Sequence, residues 1–205
     1  IIKPGTPCCY IPDASNANSN QLSSCSPVIL LPAVVEAVCS EDMLLLMVEK
    51  KYQVKATVGW VDENGRVFII GNGGSHAIAE HIATDLNKRC RVKAHTLSNN
   101  GLLTALTNDY SQEDALAEWL RINGLKRRDY VIAVSSSGKS PNIIKALNYA
   151  SEIEAHTLSI FGMDGVPVLE SDRDEFIKVE SHNYGVVELA SEIALHAIVE
   201  ELVVE

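Results

Sequence analysis

The sequence has little positive charge and no long apolar run. Its 205 residues include 17 Lys and Arg against 27 Asp and Glu, a formal charge of −10. This balance argues against nucleic acid as a partner, because phosphate backbones require a basic face. The longest apolar stretch, residues 28–38, is interrupted by Pro32 and Glu36 and is too short to span a bilayer. We therefore expect no membrane partner.

Paired cysteines are also absent. The five cysteines are scattered without CxxC spacing, which favours reduced thiols over a disulfide framework or a zinc ribbon. Together with the absence of a secretory signal pattern, this predicts a cytoplasmic protein. Neither GxxxxGK[ST] nor GxGxxG occurs, which argues against an NTPase and against a dinucleotide fold.

The chain does contain apolar runs that alternate with helical patterns. Five apolar runs predict buried strands, and the segments between them have helical periodicity. The strands are predicted at residues 66–71, 91–96, 130–134, 155–161 and 175–179, and the helices at 75–88, 111–123, 140–152 and 184–204. Such alternation predicts an α/β fold with three layers, a doubly wound five-stranded parallel sheet flanked by helices.

The N-terminal part differs in composition. Five of the seven prolines lie in the first 32 residues, so we expect residues 1–30 to form an irregular arm. Residues 31–205 then form a single domain, which begins with helices between positions 33 and 61. The apolar stripes of these helices are suited to covering the sheet or to pairing with another subunit.

Two strand ends carry loops suited to a phosphate. Gly71-Asn-Gly-Gly-Ser75 follows the first predicted strand, and Ser135-Ser-Ser-Gly-Lys-Ser140 follows the third. Each loop opens a helix, so that hydroxyl and backbone N–H donors gather at the positive end of the helix dipole. The alternative is that both are tight turns in which serine only caps the helix. Two such loops at one sheet edge favour the anion site.

These loops, followed by His81, Asp85 and Thr107-Asn-Asp109 and by a last helix with Glu188 and His196, resemble the phosphoheptose (sedoheptulose 7-phosphate) isomerases. These enzymes are single-domain members of the sugar isomerase (SIS) superfamily. The resemblance covers about residues 60–205. It implies a five-stranded parallel sheet, a homotetramer and interconversion of an aldose and a ketose phosphate through an enediol.

The resemblance also implies roles for individual residues. Residues of the first loop would contact the sugar phosphate, the serine loop would hold the phosphate, and an Asn-Asp pair would contact the substrate. The matching positions are Asn72, Gly73, Gly74 and Ser75, then Ser135, Ser136, Ser137 and Ser140, and finally Asn108 and Asp109, with Glu188 also close to the substrate.

A metal site is implied as well, and here the sequence departs from the family. The family uses His and Glu on the helix after the first loop, and Gln and His on the last helix. This chain has His81 and Asp85, then Glu188 and His196. Two histidines and two carboxylates still suit Zn²⁺. Asp85 and His196 would be the proton-transfer pair, and Glu192 is an alternative ligand because it lies four residues before His196 on the same helix.

Two functions therefore stay open. The first is an isomerase of sedoheptulose 7-phosphate and a heptose 7-phosphate. The second is a non-catalytic SIS protein that binds a sugar phosphate for regulation, for which a replication-initiator-binding relative is the precedent. The two retained histidines favour the enzyme, whereas the shorter side chain of Asp85 and the added charge of Glu188 favour the binding protein.

Overall fold

The computed structural model describes residues 65–168, 170–179 and 181–203, together with the backbone of two short strands nearer the N-terminus. Twelve elements follow one another in these residues: β1 Cys9–Tyr10, β2 Val28–Leu30, β3 Arg66–Gly71, α1 Gly74–Arg89, β4 Lys93–His95, α2 Asn100–Asp109, α3 Ala115–Ile122, β5 Tyr130–Ser135, α4 Pro141–Glu152, β6 His156–Phe161, β7 Asp174–Val179 and α5 Tyr184–Leu202.

All strands belong to one parallel sheet in the order β1-β2-β7-β6-β5-β3-β4. The five predicted strands are confirmed as β3 to β7, and β1 and β2 extend the sheet beyond β7. The chain passes from β3 to β4 on one side and then to β5 on the other. The topological switch point, where α/β sheets bind their ligands, therefore lies between β3 and β5.

Helices cover both faces of the sheet and give the predicted three layers. On one face, α1 and α5 bury side chains such as Ile82 and Leu195 against Ile69 and Ile132. On the other face, α3 and α4 pack against Phe68 and other strand residues. Both faces of the central strand β5 are buried, which explains why its sequence is a continuous apolar run.

The region between β4 and β5 differs from the prediction. The structure has two helices, α2 and a shorter α3, where the sequence indicated one helix at residues 111–123. The Asn99 side chain caps α2 by accepting a hydrogen bond from the backbone N–H of Leu102, at 3.0 Å. Leu102 and Leu103 lie four and three residues before Leu106, but the helix has only ten residues and Leu106 is the one that is fully buried, so its apolar pattern is short.

The predictions for the N-terminal part lie largely outside the described residues. This applies to the irregular arm at residues 1–30, apart from the backbone of β1 and β2, and to the helices between positions 33 and 61. Within the part of the chain that the structure describes, no helix combines the length and the apolar character needed to cross a membrane.

Candidate functional site

The two glycine and serine loops leave adjacent strands at the switch point. Gly71 at the end of β3 pairs with Val134, the penultimate residue of β5. The chain then turns sharply through Gly73, which has a φ of 55°, a conformation that favours glycine. A Cβ at Gly71 would lie 2.6 Å from the backbone of Ser75. The first loop is therefore a tight turn that places the N-terminus of α1 beside the end of β5.

The serine loop carries two buried hydroxyls without partners. Ser135 and Ser136 are each 6% exposed. Neither Oγ atom has a hydrogen-bond partner among the residues that the structure describes. Ser135 also lines a small cavity with Ile143 and Ser159. A buried hydroxyl without a partner has a free-energy cost, and a bound anion would remove this cost.

The rest of the serine loop is more open. Ser137 accepts a hydrogen bond from the backbone N–H of Lys139 at 3.2 Å. Ser140 stands at the N-cap position of α4, but its side chain makes no capping hydrogen bond. The Lys139 ammonium lies 3.9 Å from a carboxylate oxygen of Asp164, and both side chains are largely exposed. The serine hydroxyls are thus better placed than Lys139 to define a binding site.

A pair of asparagines joins the two loops. Asn72 Nδ2 donates to Asn142 Oδ1 at 3.0 Å, and Asn142 Nδ2 donates back to Asn72 Oδ1 at 2.8 Å. Asn72 is a predicted site residue, whereas Asn142, the second residue of α4, was missed. An isolated asparagine after a proline has no sequence signal of its own, and only the strand order shows that it faces the first loop.

Helices α1 and α5 bring the predicted histidines together. The rings of His81 and His196 are edge to face, with centroids 5.0 Å apart. Asp85 lies between them: its Oδ2 is 3.6 Å from His81 Nε2 and 3.9 Å from His196 Nδ1. Residues 115 positions apart in the sequence thus form one cluster, at the α1–α5 packing contact.

The carboxylate that joins the two histidines from α5 is Glu192. One donor atom from each of His81, Glu192 and His196 lies within 4.8 Å of the other two. These three side chains form a group that can hold a metal ion. Glu188 lies elsewhere, because its Oε1 is 2.6 Å from the position that a Cβ on Gly74 would occupy. Glu188 therefore covers the first turn of α1, next to the first loop.

Asp85 also has a partner on its own helix. Arg89 Nη1 is 3.7 Å from Asp85 Oδ2, and Arg89 Nη2 donates to Glu200 Oε1 at 2.6 Å. The hydrogen bond to Glu200 and the charges of Glu200 and Asp85 raise the pKa of Arg89. The carboxylate of Asp85 is thus surrounded by one permanent cation and two imidazoles.

The predicted Asn-Asp pair lies on a different helix, α2. Asn108 and Asp109 lie in the last turn of α2, both exposed, and Asn108 Nδ2 donates to Asp109 Oδ1 at 2.9 Å. Among the described residues, no hydrogen bond or ion pair links this pair to either loop. His76 likewise makes an exposed contact within α1, at 3.7 Å from Glu80.

Parallel α/β architecture, two anion-type loops at the switch point and a histidine cluster behind the first loop together define a class of protein. The SIS domain family matches residues 52–162 of the chain. This match covers more than half of the 205 residues, and the chain is a SIS domain protein.

Comparison with individual relatives shows which group of SIS domain proteins the chain is similar to. A probable phosphoheptose isomerase of Thermoplasma volcanium is 32% identical over 67% of this chain and 72% of that protein. The solved structure of phosphoheptose isomerase GmhA from Neisseria gonorrhoeae has a TM-score of 0.69 and 25% identity to this chain, and the match covers 82% of this chain and 92% of that one. Within the SIS domain family, the chain belongs to the phosphoheptose isomerases.

The match to other relatives is shorter. The phosphoheptose isomerase of Helicobacter pylori strain 26695 is 36% identical over 56% of this chain and 62% of that protein. The chain thus spans less than two thirds of the length of this relative.

Proposed function

We propose that the protein is a sugar-phosphate isomerase that interconverts sedoheptulose 7-phosphate and a heptose 7-phosphate. The observation that carries the proposal is the cluster of His81, Asp85, Glu192 and His196, because helix α1, which supplies half of it, begins at the first loop. The acid–base group Asp85 and the anion donors of the first loop are then fixed on one rigid element, and α5 brings His196 to them. The names of the relatives favour this substrate class.

The phosphate would bind between the two loops. Its oxygens would accept hydrogen bonds from the hydroxyls of Ser135, Ser136 and Ser140 and from the N–H groups of Gly74 and Ser75 at the start of α1, since those of His76 and Ala77 donate to the Gly73 carbonyl. Binding would use the two buried hydroxyls that lack partners among the described residues. Ser137, Asn72, Gly73, Gly74 and Ser75 complete the proposed phosphate site.

Proton transfer is proposed for Asp85 and His196. Isomerisation through an enediol requires a base that moves a proton between C1 and C2 and an acid that serves the neighbouring oxygens. The two side chains are 3.9 Å apart, so both can reach one substrate. Arg89, 3.7 Å from Asp85 Oδ2, holds this carboxylate in the cluster. Asn108, Asp109 and Glu188 would contact the sugar.

The cluster fits a zinc ion. Ligands bound at about 2.1 Å to one Zn²⁺ lie within about 4 Å of one another. The donors of His81, Glu192 and His196 lie within 4.8 Å of one another, so side-chain rotation would have to bring them closer. We propose these three residues as ligands with Asp85 beside them. Glu192 replaces Glu188 in this proposal because Glu188 lies against Gly74. Bound zinc would supply Lewis-acid polarisation of the substrate oxygens.

A second candidate is a binding protein without activity. It is favoured by the ion pair of Asp85 with Arg89, because this pair competes with proton transfer. It is also favoured by the side chain of Asp85, which is one methylene shorter than glutamate and therefore reaches less far toward C1 and C2 of a bound sugar. The same loops would then bind a sugar phosphate for regulation.

One experiment separates the two candidates. The protein is incubated with sedoheptulose 7-phosphate in D₂O, with and without added Zn²⁺, and the sugar is followed by NMR. Formation of an aldose phosphate supports the isomerase. Saturable binding without product, at every zinc concentration, supports the binding protein, and the absence of both contradicts the proposed function.

We further propose a homotetramer, assembled through the helices predicted between residues 33 and 61. Apolar side chains in that segment exceed what one face of a small sheet requires. Light scattering at micromolar concentration tests this proposal, and a monomer would contradict it. The scattered cysteines favour a cytoplasmic location, which fractionation of cells would test.

A further inference from the structure

Within the described residues, the asparagine pair is the one side-chain hydrogen-bonded contact between the first loop and the start of α4, the helix that follows the serine loop. Asn72 belongs to the loop after β3, and Asn142 belongs to the helix that follows the loop after β5. Their amides exchange two hydrogen bonds, at 3.0 and 2.8 Å. The contact therefore ties together two segments that are 70 residues apart in the sequence.

The orientation of this pair is fixed by the backbone. The N–H of Ile143 donates both to Asn142 Oδ1, at 3.0 Å, and to the Ser140 carbonyl, at 3.1 Å, and this shared hydrogen bond favours the orientation in which the oxygen of the Asn142 amide faces the start of α4. The Asn142 NH₂ group is then available for Asn72 Oδ1, and this contact in turn sets the direction of the Asn72 amide. Helix α4 thus favours the orientation of the Asn72 amide in which both Oδ1 and one N–H of Nδ2 contact Asn142.

The first loop needs such support. A Cβ placed on Gly73 would meet no atom of the described residues within 4 Å, so none of these residues packs against that side of the loop. Glycine also has the largest conformational freedom to lose when a loop is ordered. Each asparagine uses one of its two side-chain N–H bonds in the pair, which leaves one on each residue for a ligand.

We infer that Asn142 is a positioning residue, which holds Asn72 and the first loop in the geometry that binds the phosphate. This inference rests on the proposed sugar-phosphate site. It assigns to Asn142 no direct contact with the reacting carbons. Its effect on binding must pass through Asn72, and this makes the inference testable by combining substitutions.

The first test needs no ligand. NMR spectra of the full chain are compared with those of Asn142→Ala. We expect the side-chain amide of Asn72 and the backbone amides of Gly73 and Gly74 to shift and broaden. Asn123→Ala is the matched control, because it removes a side-chain hydrogen bond to the Trp119 carbonyl, 2.8 Å long, on α3. If Asn142→Ala leaves the first-loop amides where they are, the inference is wrong.

The second test is a double-mutant cycle on binding of inorganic phosphate. Because a net hydrogen bond contributes about 1 kcal/mol, Asn142→Ala should weaken binding about fivefold. In the Asn72→Ala background the same substitution should change the affinity by less than about twofold. Equal effects in both backgrounds would overturn the inference.

A third variant separates capping of α4 from positioning. Asn142→Asp keeps an acceptor for the Ile143 N–H but removes the donor to Asn72 Oδ1. It should therefore retain the thermal stability of the parent, and its added charge should weaken phosphate binding in both backgrounds. Positioning predicts a larger loss in the parent than in the Asn72→Ala background, and equal losses would contradict it.

Turnover distinguishes this inference from the proposed function. In an active protein, Asn142→Ala should raise KM for sedoheptulose 7-phosphate more than it lowers kcat, because the phosphate is held in ground and transition states alike. If the unmodified protein shows neither turnover nor sugar-phosphate binding, the proposed function fails. The NMR comparison still decides whether Asn142 positions the first loop.

Discussion

The two ends of the sheet differ in whether their buried polar groups have hydrogen-bond partners. At the amino ends of the strands, buried carboxylates are surrounded by donors from the protein itself. At the carboxyl end of β5, the buried hydroxyls of Ser135 and Ser136 have no partner among the described residues. A polar group that the fold satisfies stabilises the fold, whereas one that it leaves open is available to a ligand.

Asp129 illustrates the amino end. Its fully buried side chain accepts from the Arg66 guanidinium at 2.6 Å and from the backbone N–H of Lys126 at 2.9 Å. The same guanidinium donates to the carbonyls of Asn123 and Gly124. These contacts connect the starts of β3 and β5 to the end of α3.

Asp174 does the same at the start of β7. It accepts from the hydroxyls of Ser151 and Thr157, at 2.9 and 2.7 Å, and from the backbone N–H groups of Glu170 and Ser171, at 2.9 and 2.8 Å. These donors belong to α4, to β6 and to the segment before β7, so one carboxylate holds three pieces of chain together.

The largest effect is expected in the cluster between α1 and α5, from Asp85→Asn. The amide cannot accept a proton, so the proposed isomerase should lose at least about a hundredfold in kcat, with little change in the melting temperature. Single-turnover assays with sedoheptulose 7-phosphate measure the loss. Unchanged turnover would show that Asp85 is not the base.

Asp85→Glu is the matched control. It restores the length of the family's glutamate while keeping the charge beside Arg89. The variant should keep or raise isomerase activity. A loss as large as that of Asp85→Asn would mean that the cluster tolerates no change of geometry, and it would weaken the assignment of Asp85 as a proton carrier.

The next effect is expected at the amino end. Asp174→Ala removes the acceptor of four donors, two of them buried hydroxyls, and should lower the free energy of unfolding by about 3 kcal/mol. Urea unfolding measures this change. Affinity for phosphate per folded molecule should stay the same. A variant with normal stability but weakened phosphate binding would mean that Asp174 serves ligand binding and not fold stability, which would contradict the distinction between the two ends.

Ser136→Ala should show the opposite pattern. It removes a buried hydroxyl that has no partner among the described residues, so stability should be unchanged or slightly higher. Phosphate binding should weaken by about 1–3 kcal/mol because a charge-assisted hydrogen bond is lost. Calorimetric titration together with thermal unfolding measures both quantities. A less stable variant with normal affinity would mean that Ser136 is structural.

Much of the fold could be predicted from the sequence because its signals are local. The runs at β3, β5 and β6 are short, apolar and bounded by turns, and each was located to within a residue or two at both ends. Helix α2 has a weaker signal: Leu102, Leu103 and Leu106 have helical spacing, but they span only five residues, and Leu106 is the one fully buried residue.

The candidate site was predictable only in part, for a similar reason. His81 and Asp85 share a helix face at a spacing of four, and the structure brings His196 to them. The choice between Glu188 and Glu192 depends on how α5 is rotated against α1, and the role of Asn142 depends on the strand order. Both are properties of packing, which a local pattern does not contain.

The smallest predicted effect concerns Glu175, the exception at the amino end. Its Oε2 is buried without a hydrogen-bond partner in the described residues, although the carboxyl accepts a hydrogen bond from Tyr130. Burial raises the pKa of Glu175 above its ordinary 4.5, and the Tyr130 contact offsets this only in part. The folded state therefore holds this proton to a higher pH than the unfolded state does.

The sign of the pH dependence follows from this difference. Stability associated with Glu175 is fully present below pH 4.5 and is lost as pH rises through the raised pKa of the folded state. Glu175→Gln keeps an acceptor for Tyr130 but has no charge to bury, so its stability relative to the parent should improve between pH 4.5 and pH 8. Urea unfolding of both proteins across that range measures the difference, and subtracting the two curves removes the other titrating groups. A constant difference would mean that folding does not raise the pKa of Glu175, and it would contradict the prediction.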